Sequence, residues 1–475
     1  MTPTLLLSFR KEVSLIEASE EQAVVETPWG KITLSELTPG LLSALRTLSS
    51  GGATEDDISN LVMEKDGAAT LALLYYLLQR CGNLGLLSFT LIADGQLLVT
   101  VVPMKHGFQF NPNSIDVDTR VRLSRFAYCR REGDALVLES PLSLARAIVP
   151  GRLGAELVGE LAQPRAYRDL SASVEGLPED TAQAFLSLLA NEALVVEVGE
   201  DGTLAEEDPP LAQWAFHDLL FHSRSRMGRH DYSFGATFPF LGKIPPLSAL
   251  KPRMSDEVIA LYKPNIYQLE KEDLPFTYIL ENRQSIRDYG GQPINAEQLG
   301  EFLYRVARVR RIIEADPAQN LHYQVSNRPY PSGGATYDLE LYVAVNTCEG
   351  VPSGIYHYDP LNHWLCKLGD RNTHVEALLR DAQYAAALLC EPQVLIILSS
   401  RFQRLSWKYS GMAYATTLKN VGVLYQTMYL VATAMGLAPC ALGGGNSDLF
   451  AQSIGIHYFA ESSVGEFILG SRLSV

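Results

Sequence analysis

No CxxC pair, no cysteine–histidine cluster and no HExxH occurs in these 475 residues. Zinc sites draw on such spacings, so neither a structural nor a catalytic zinc is expected. The six cysteines, at 81, 129, 348, 366, 390 and 440, are too scattered for a disulfide framework. They read as reduced, mostly buried thiols of a cytoplasmic protein. Basic charge is also short, with 39 Lys and Arg against 54 Asp and Glu and a net charge of −15. Phosphate contacts dominate nucleic-acid affinity, so DNA and RNA are poor partners for this chain. No apolar run approaches the roughly 18 residues that signal a membrane span, and no charged-then-apolar leader opens the sequence. GK[ST] and GxGxxG are missing, and with them the familiar nucleotide loops.

What is present describes an ordinary globular chain, 47% hydrophobic and 20% charged. Its length predicts two to four domains. The first 200 residues carry a faint duplication. VVETPWGKITLSEL (24–37) alternates, LLSALRTL (41–48) reads as a short helix, and 70–102 reads as a helix and a hairpin turning at Asp94-Gly95. About 112 residues later, 136–161 and 181–202 repeat that order, with Pro28 opposite Pro141, Leu48 opposite Leu161 and Leu77-Leu78 opposite Leu188-Leu189. Short helices followed by a hairpin describe a winged-helix module, expected at 1–108 and again at 118–205. The helices that would read DNA, LALLYYLLQR and TAQAFLSLLANEA, have almost no Lys or Arg. Two scaffold modules without a ligand are one reading. Modules that take an extended peptide by strand addition are the other.

GEDGTLAEEDPP (199–210) is acidic and proline-ended, which marks a boundary, and a third domain is expected over 210–475. Within it His217 and His222 lie five apart, a poor spacing for two ligands on one helical face, and read as structural. LELYVAV (339–345) and QVLIILSS (393–400) are strand candidates, the second apolar enough to be buried on both faces.

Three segments carry chemistry. Arg283, Ser285 and Arg287 form an R-x-S-x-R run whose two guanidinium forks and hydroxyl can enclose a phosphate, or can be a plain surface run. Pro331, Ser332, Gly333 and Gly334 make an irregular segment ahead of a strand, where small residues let backbone amides approach a flat ligand. Third, Lys408 and Tyr409 stand where a long apolar helix is expected to begin. Val421, Leu424, Met428, Val431 and Met435 stripe that helix, and Gly436 and a Leu442-Gly443-Gly444-Gly445 loop follow it. Either the pair is the entry to a packed helix, or burial disfavours the charged lysine and makes one of the two a usable base.

The order of these pieces resembles a known family. WAFHDLLFHSRSR, R-x-S-x-R-x-Y at 283–289, RPYPSGGATYDLELYV, GIYHYDP (354–360), Lys408-Tyr409 and ALGGG are similar to the flavin-dependent nitroreductase fold. Within it they resemble the thiazoline/oxazoline dehydrogenases of ribosomally made peptides, the cyanobactin-pathway oxidases among them. The resemblance spans roughly 210–475, and the two N-terminal modules resemble precursor-peptide recognition modules. It implies an α+β protein with an FMN-binding nitroreductase-like domain behind two winged-helix-like modules, working as a cytoplasmic homodimer. Arg283, Ser285, Arg287 and Arg472 would hold the FMN phosphate and ribityl chain. Pro331, Ser332, Gly333 and Gly334 would lie against the isoalloxazine, from the other subunit. Leu442, Gly443 and Gly444 would pass its reactive edge. Lys408 and Tyr409 would be the acid/base pair, with the order of roles open and Tyr409 favoured for proton transfer. The arginine-rich run that often follows this pair is replaced by GMAYA (411–415). The expected reaction converts thiazoline, and in the wider reading oxazoline, to the aromatic azole with oxygen as final acceptor. The alternative is an NAD(P)H-dependent nitroreductase or quinone reductase, which needs no side-chain base.

Overall fold

A computed structural model describes residues 3–19, 21–27, 30–105, 107–108, 110 and 115–473. Pro28, set against Pro141 by the repeat, lies outside the described residues. The chain divides into two compact units, Met1–Tyr232 and Ser233–Val475.

In the first unit the duplication becomes a repeated order of elements. Strands β1 (Thr4–Phe9), β2 (Ser14–Ala18), β3 (Gln22–Thr27) and β4 (Gly30–Ser35) lead into helices α1 (Pro39–Ser49), α2 (Glu55–Asp66) and α3 (Leu71–Asn83). The hairpin β5 (Leu87–Ala93) and β6 (Gln96–Pro103) follows. It turns at Asp94 and Gly95, with φ of 49° and 74°, the left-handed pair that a two-residue hairpin loop requires. The second copy runs β7 (Val121–Leu123), β8 (Tyr128–Glu132), β9 (Ala135–Glu139), β10 (Ala145–Val149), α4 (Arg152–Glu160), α5 (Tyr167–Ser173), α6 (Glu179–Asn191) and β11 (Val195–Glu197). The sequence reading had missed α2 and α5.

The copies are joined by a sheet of order β1-β5-β6-β10-β9-β8, because β6 pairs antiparallel with β10. Gly154 on α4 makes room for this: a side chain there would overlap the Leu98 carbonyl of β6. In the first copy β4 ends its own sheet, β2-β3-β4, with its outer edge unpaired among the described residues. Helices α7 (Pro209–Ala212) and α8 (Phe216–Arg224) close the unit. Buried Glu139 accepts hydrogen bonds from Tyr128, Arg130, Arg224 and Tyr232, and Asp231 pairs with Arg10 and Arg146. The break between units therefore falls after Tyr232, downstream of the acidic stretch at 199–210.

The second unit opens with β12 (Val258–Ala260), α9 (Ile266–Glu272), α10 (Phe276–Asn282) and α11 (Ala296–Ala307). Strands β13 (Arg311–Ile313), β14 (Val325–Asn327), β15 (Leu339–Val345), β16 (Gly354–Asp359) and β17 (Trp364–Asp370) follow. Then come α12 (Thr373–Ala386), β18 (Val394–Arg401), α13 (Gln403–Ser406), α14 (Ala413–Ala434), β19 (Leu437–Leu442), α15 (Ser447–Ile454) and β20 (Glu461–Ser471). Seven strands form one antiparallel sheet, β12-β17-β16-β15-β18-β20-β19. Every residue of β15 and β18 is buried, as continuous apolar runs with few exceptions predict. One face packs on α11 and α14, the other on α12 and α15. The class is α+β.

Helix α14 buries Val421, Leu424 and Met428 as read, but Val431 and Met435 are only half-buried, and Ala432 and Thr433 take over. A 3-4-3-4 stripe drifts around a straight helix by about 20° per heptad, which moves the later positions off the core. Gly436, at φ 66°, ends the helix. No described helix is long and apolar enough to cross a membrane.

Candidate active site

The glycine loop ahead of β15 is held in a conformation that sequence alone would disfavour. Gly334 is left-handed (φ 60°), and so are Ala335 (54°) and Tyr337 (45°). Such residues persist only where their surroundings over-determine them. Here Ser332 Oγ accepts from the Tyr337 amide at 3.1 Å, and the Gly333 amide donates to Asn420 Oδ1 at 3.0 Å. Asn420 in turn donates to buried Asp338 at 2.7 Å, a carboxylate that Ser400 (2.7 Å) and Thr417 (3.1 Å) also reach. Burial pushes the Asp338 carboxyl up despite these three donors. Arg404 braces the loop from behind, donating to the carbonyls of Thr336, Gln324 and Leu247.

Lys408 and Tyr409 do not begin α14. They form the turn between α13 and α14, and left-handed Gly411 (φ 70°) separates them from the longer helix. Phe234 fills the space beside Gly411, Gly235 and Ser410 exchange backbone hydrogen bonds, and the Phe238 amide donates to the Lys408 carbonyl. The turn is thus clamped by 234–238. It points both side-chain tips at one place: a side chain on Gly334 would overlap Tyr409 Oη and Lys408 Nζ together. Lys408 Nζ donates to Tyr323 Oη at 2.8 Å, and Tyr323 Oη donates to the Gly334 carbonyl at 3.0 Å. The ammonium also lies near the rings of Tyr409, Tyr323 and Phe238, 5.1, 5.3 and 6.0 Å from their centres. Among the described residues no carboxylate pairs with Lys408, and no group hydrogen-bonds the Tyr409 hydroxyl.

A second cluster forms near the other end of α14. Ser285 shares a 2.7 Å hydrogen bond with Tyr429 Oη, which also accepts the Ala441 amide at 2.8 Å. That bond ties the R-x-S-x-R segment to the strand leading into Leu442. The Arg283 guanidinium lies 5.3 Å from the centre of the Tyr429 ring. Ile286 donates to the Pro439 carbonyl, and Gly290, packed on the Arg472 carbonyl, donates to Ser471. Arg283, Arg287 and Arg472 pair with no carboxylate among the described residues. In an acidic chain, that leaves three cations available to an anion. Gly443 and Gly444 face open space, and Gly445 leaves room for Glu466, whose carboxyl burial pushes up.

The structure therefore gathers the predicted residues into two groups and not one. Asn420 and Tyr429 anchor the groups to α14, nine residues apart, or about 13 Å along the axis. Pro331 and Ser332 belong to the first group, Leu442 to the second. Four anchoring residues were missed in the sequence: Tyr323, Asp338, Asn420 and Tyr429. Asp338 at the door of an apolar strand and Asn420 inside an apolar helix were visible signals, because a buried polar group needs a partner. Tyr323 offered none. His217 is exposed beside Asp218, and His222 lies tilted against Trp214, 5.6 Å between ring centres. Cys81, Cys348, Cys366 and Cys440 are buried and Cys129 and Cys390 exposed, all as free thiols.

Residues 1–112 match the family model of the ThcOx helix turn helix domain, 121–231 that of the cyanobactin oxidase ThcOx, and 280–470 that of the nitroreductase family. The protein MJ1384 of Methanocaldococcus jannaschii, named as a nitroreductase, is 26% identical over 39% of this chain and 85% of its own length. The microcin B17-processing protein McbC of Escherichia coli is 34% identical over 23% of this chain and 42% of McbC. Among solved structures, the E. coli microcin synthetase McbBCD complex with truncated pro-MccB17 bound aligns at 20% identity and a TM-score of 0.33. That alignment covers 50% of this chain and 91% of that one.

Proposed function

From a chain that carries the modules of a cyanobactin oxidase ahead of a nitroreductase-family oxidoreductase domain, we propose an FMN-dependent oxidase. It dehydrogenates thiazoline rings, and on the wider reading oxazoline rings, in a ribosomally made peptide, with dioxygen as final acceptor. One observation carries the reading: Lys408 Nζ and Tyr409 Oη converge on the bare Cα of Gly334. A reductase working by hydride transfer alone has no use for a basic pair aimed at its glycine loop.

Aromatisation removes a proton from one ring carbon and a hydride from its neighbour. FMN, when bound, supplies the two-electron acceptor for that hydride. Tyr409, as phenolate, takes the proton, and the freed electron pair becomes the new ring double bond. The Lys408 ammonium, 5.1 Å from the Tyr409 ring centre, stabilises the phenolate. Arg283, Arg287 and Arg472 would hold the FMN phosphate, with Ser285 beside them. Pro331, Ser332, Gly333 and Gly334, with Leu442, Gly443 and Gly444, would offer backbone to its ring system. The separation of the two groups along α14 supports a site completed by a second copy. Exposed Phe276, Tyr278 and Leu280 on α10 and Tyr414 and Leu418 on α14 are apolar surface that a homodimer would cover. The N-terminal modules engage the peptide: among the described residues β4 of the first keeps an open edge, whereas the matching edge of the second, β10, is taken by β6. The free thiols fit a cytosolic setting.

The test is mass spectrometry of a thiazoline peptide incubated aerobically with FMN-loaded protein and no NAD(P)H. Loss of two hydrogens per ring is expected, slowed about 10²- to 10⁴-fold in FMN-retaining Tyr409→Phe and Lys408→Ala variants. No mass change, beside NAD(P)H-driven quinone reduction, would replace this reading with a reductase.

A further inference from the structure

The Lys408 ammonium has one hydrogen-bond acceptor among the described side chains, and it belongs to a residue outside every motif of the sequence. Tyr323 lies between a short turn at 317–319 and β14, packed with Val325 and Trp407 in a small core of its own. Its hydroxyl proton is committed to the Gly334 carbonyl, so an oxygen lone pair faces Lys408. One phenol thus joins the two elements whose convergence defines the site, the lysine and the glycine loop. The tyrosine is itself fixed: its ring meets Trp407 edge-on at 5.8 Å, and Arg404 lies 5.5 Å from the ring centre. Burial pushes its own hydroxyl up to about 12, so it keeps the proton it gives to Gly334.

We infer that Tyr323 is a positioning residue for proton transfer: it holds the Lys408 ammonium against the Gly334 loop and leaves the Tyr409 oxygen as the group that meets the substrate. This rests on the acid/base reading above. The groups facing Lys408 are Tyr323 and Tyr409, with Arg404 behind Tyr323 and His322 beside Phe238. None of them is a carboxylate, and of the two phenols only Tyr323 accepts a hydrogen bond from Lys408. Removing that acceptor frees the Lys408 amine from the place the hydrogen bond gives it.

Tyr323→Phe keeps the ring and its packing. We expect kcat for ring oxidation to fall about 10-fold with KM little changed. In a Lys408→Ala background the same substitution should add nothing, because Tyr323 acts through Lys408. A readout independent of turnover is acylation of Lys408 by an amine-reactive probe, followed by peptide mass mapping. Labelling at neutral pH should rise several-fold in Tyr323→Phe. Unchanged kcat with unchanged labelling would overturn the inference, as would additivity with Lys408→Ala. If Lys408→Ala and Tyr409→Phe themselves oxidise rings at the wild-type rate, the acid/base reading fails and takes this one with it. If those two are crippled and Tyr323→Phe is silent, only the role of Tyr323 falls.

Discussion

The two ends of helix α14 are built on opposite plans. Near its start, polar groups are spent on one another: Asp338 on Asn420, Asn420 on Gly333, Lys408 on Tyr323, Tyr323 on Gly334. Near its far end, Arg283, Arg287 and Arg472 stand without a carboxylate among the described residues, in a chain with a 15-charge acidic excess. Internal satisfaction fixes positions, and unspent charge waits for something that is not the chain. The first end is suited to chemistry, where misplacement by about 1 Å can cost 10²-fold in rate. The second is suited to capture, where affinity is set by charge-assisted hydrogen bonds.

If that contrast is right, damage at the two ends will have different remedies. Gly334→Ala should give the largest effect. Its methyl overlaps both Lys408 and Tyr409 and must adopt a left-handed backbone, which alone costs about 1 kcal/mol. Turnover should fall at least about 10²-fold, and excess FMN should restore nothing. An active Gly334→Ala enzyme would mean that the convergence on this glycine has no catalytic meaning. Arg283→Ala with Arg287→Ala should do the reverse. Each lost charge-assisted contact should weaken FMN binding by about 10- to 100-fold, read by flavin fluorescence titration. Saturating FMN should then recover most of the turnover. Loss of turnover that FMN does not rescue would place these arginines in the chemistry and erase the difference between the ends.

Much of this was legible beforehand, for reasons that differ by element. LELYVAV became β15 over the same seven residues, and Asp94-Gly95 became the hairpin turn, because period, burial and left-handed backbone are local properties. The start of α14 was misplaced by several residues because the apolar run gives no sign that Gly411 swings the chain first. The pairing of β6 with β10 was invisible, since edge pairing between repeats is decided by packing far along the chain. Within the candidate site, motifs marked the arginine, glycine and Lys-Tyr segments, and the residues that hold them in place were hidden. Tyr323, 85 positions before Lys408, could be found only in three dimensions.

Tyr429 offers the finest discrimination, because it serves the capture end with the bonding style of the chemical end. Its oxygen accepts the Ala441 amide and shares a hydrogen bond with Ser285 Oγ in which either hydroxyl can donate. One phenol therefore sets the spacing between the arginine segment and the strand that delivers Leu442. Tyr429→Phe keeps the ring under Arg283 and against Phe467, 5.2 Å between centres, but leaves the half-buried Ala441 amide without its partner. A lost partner of this kind costs about 1–3 kcal/mol, so thermal unfolding should shift down by a few degrees. FMN affinity should drop less than about 10-fold, because both arginines remain. A drop as large as that of the double arginine variant would show that the cations work only when Tyr429 spaces them, and that the far end is as internally determined as the near one.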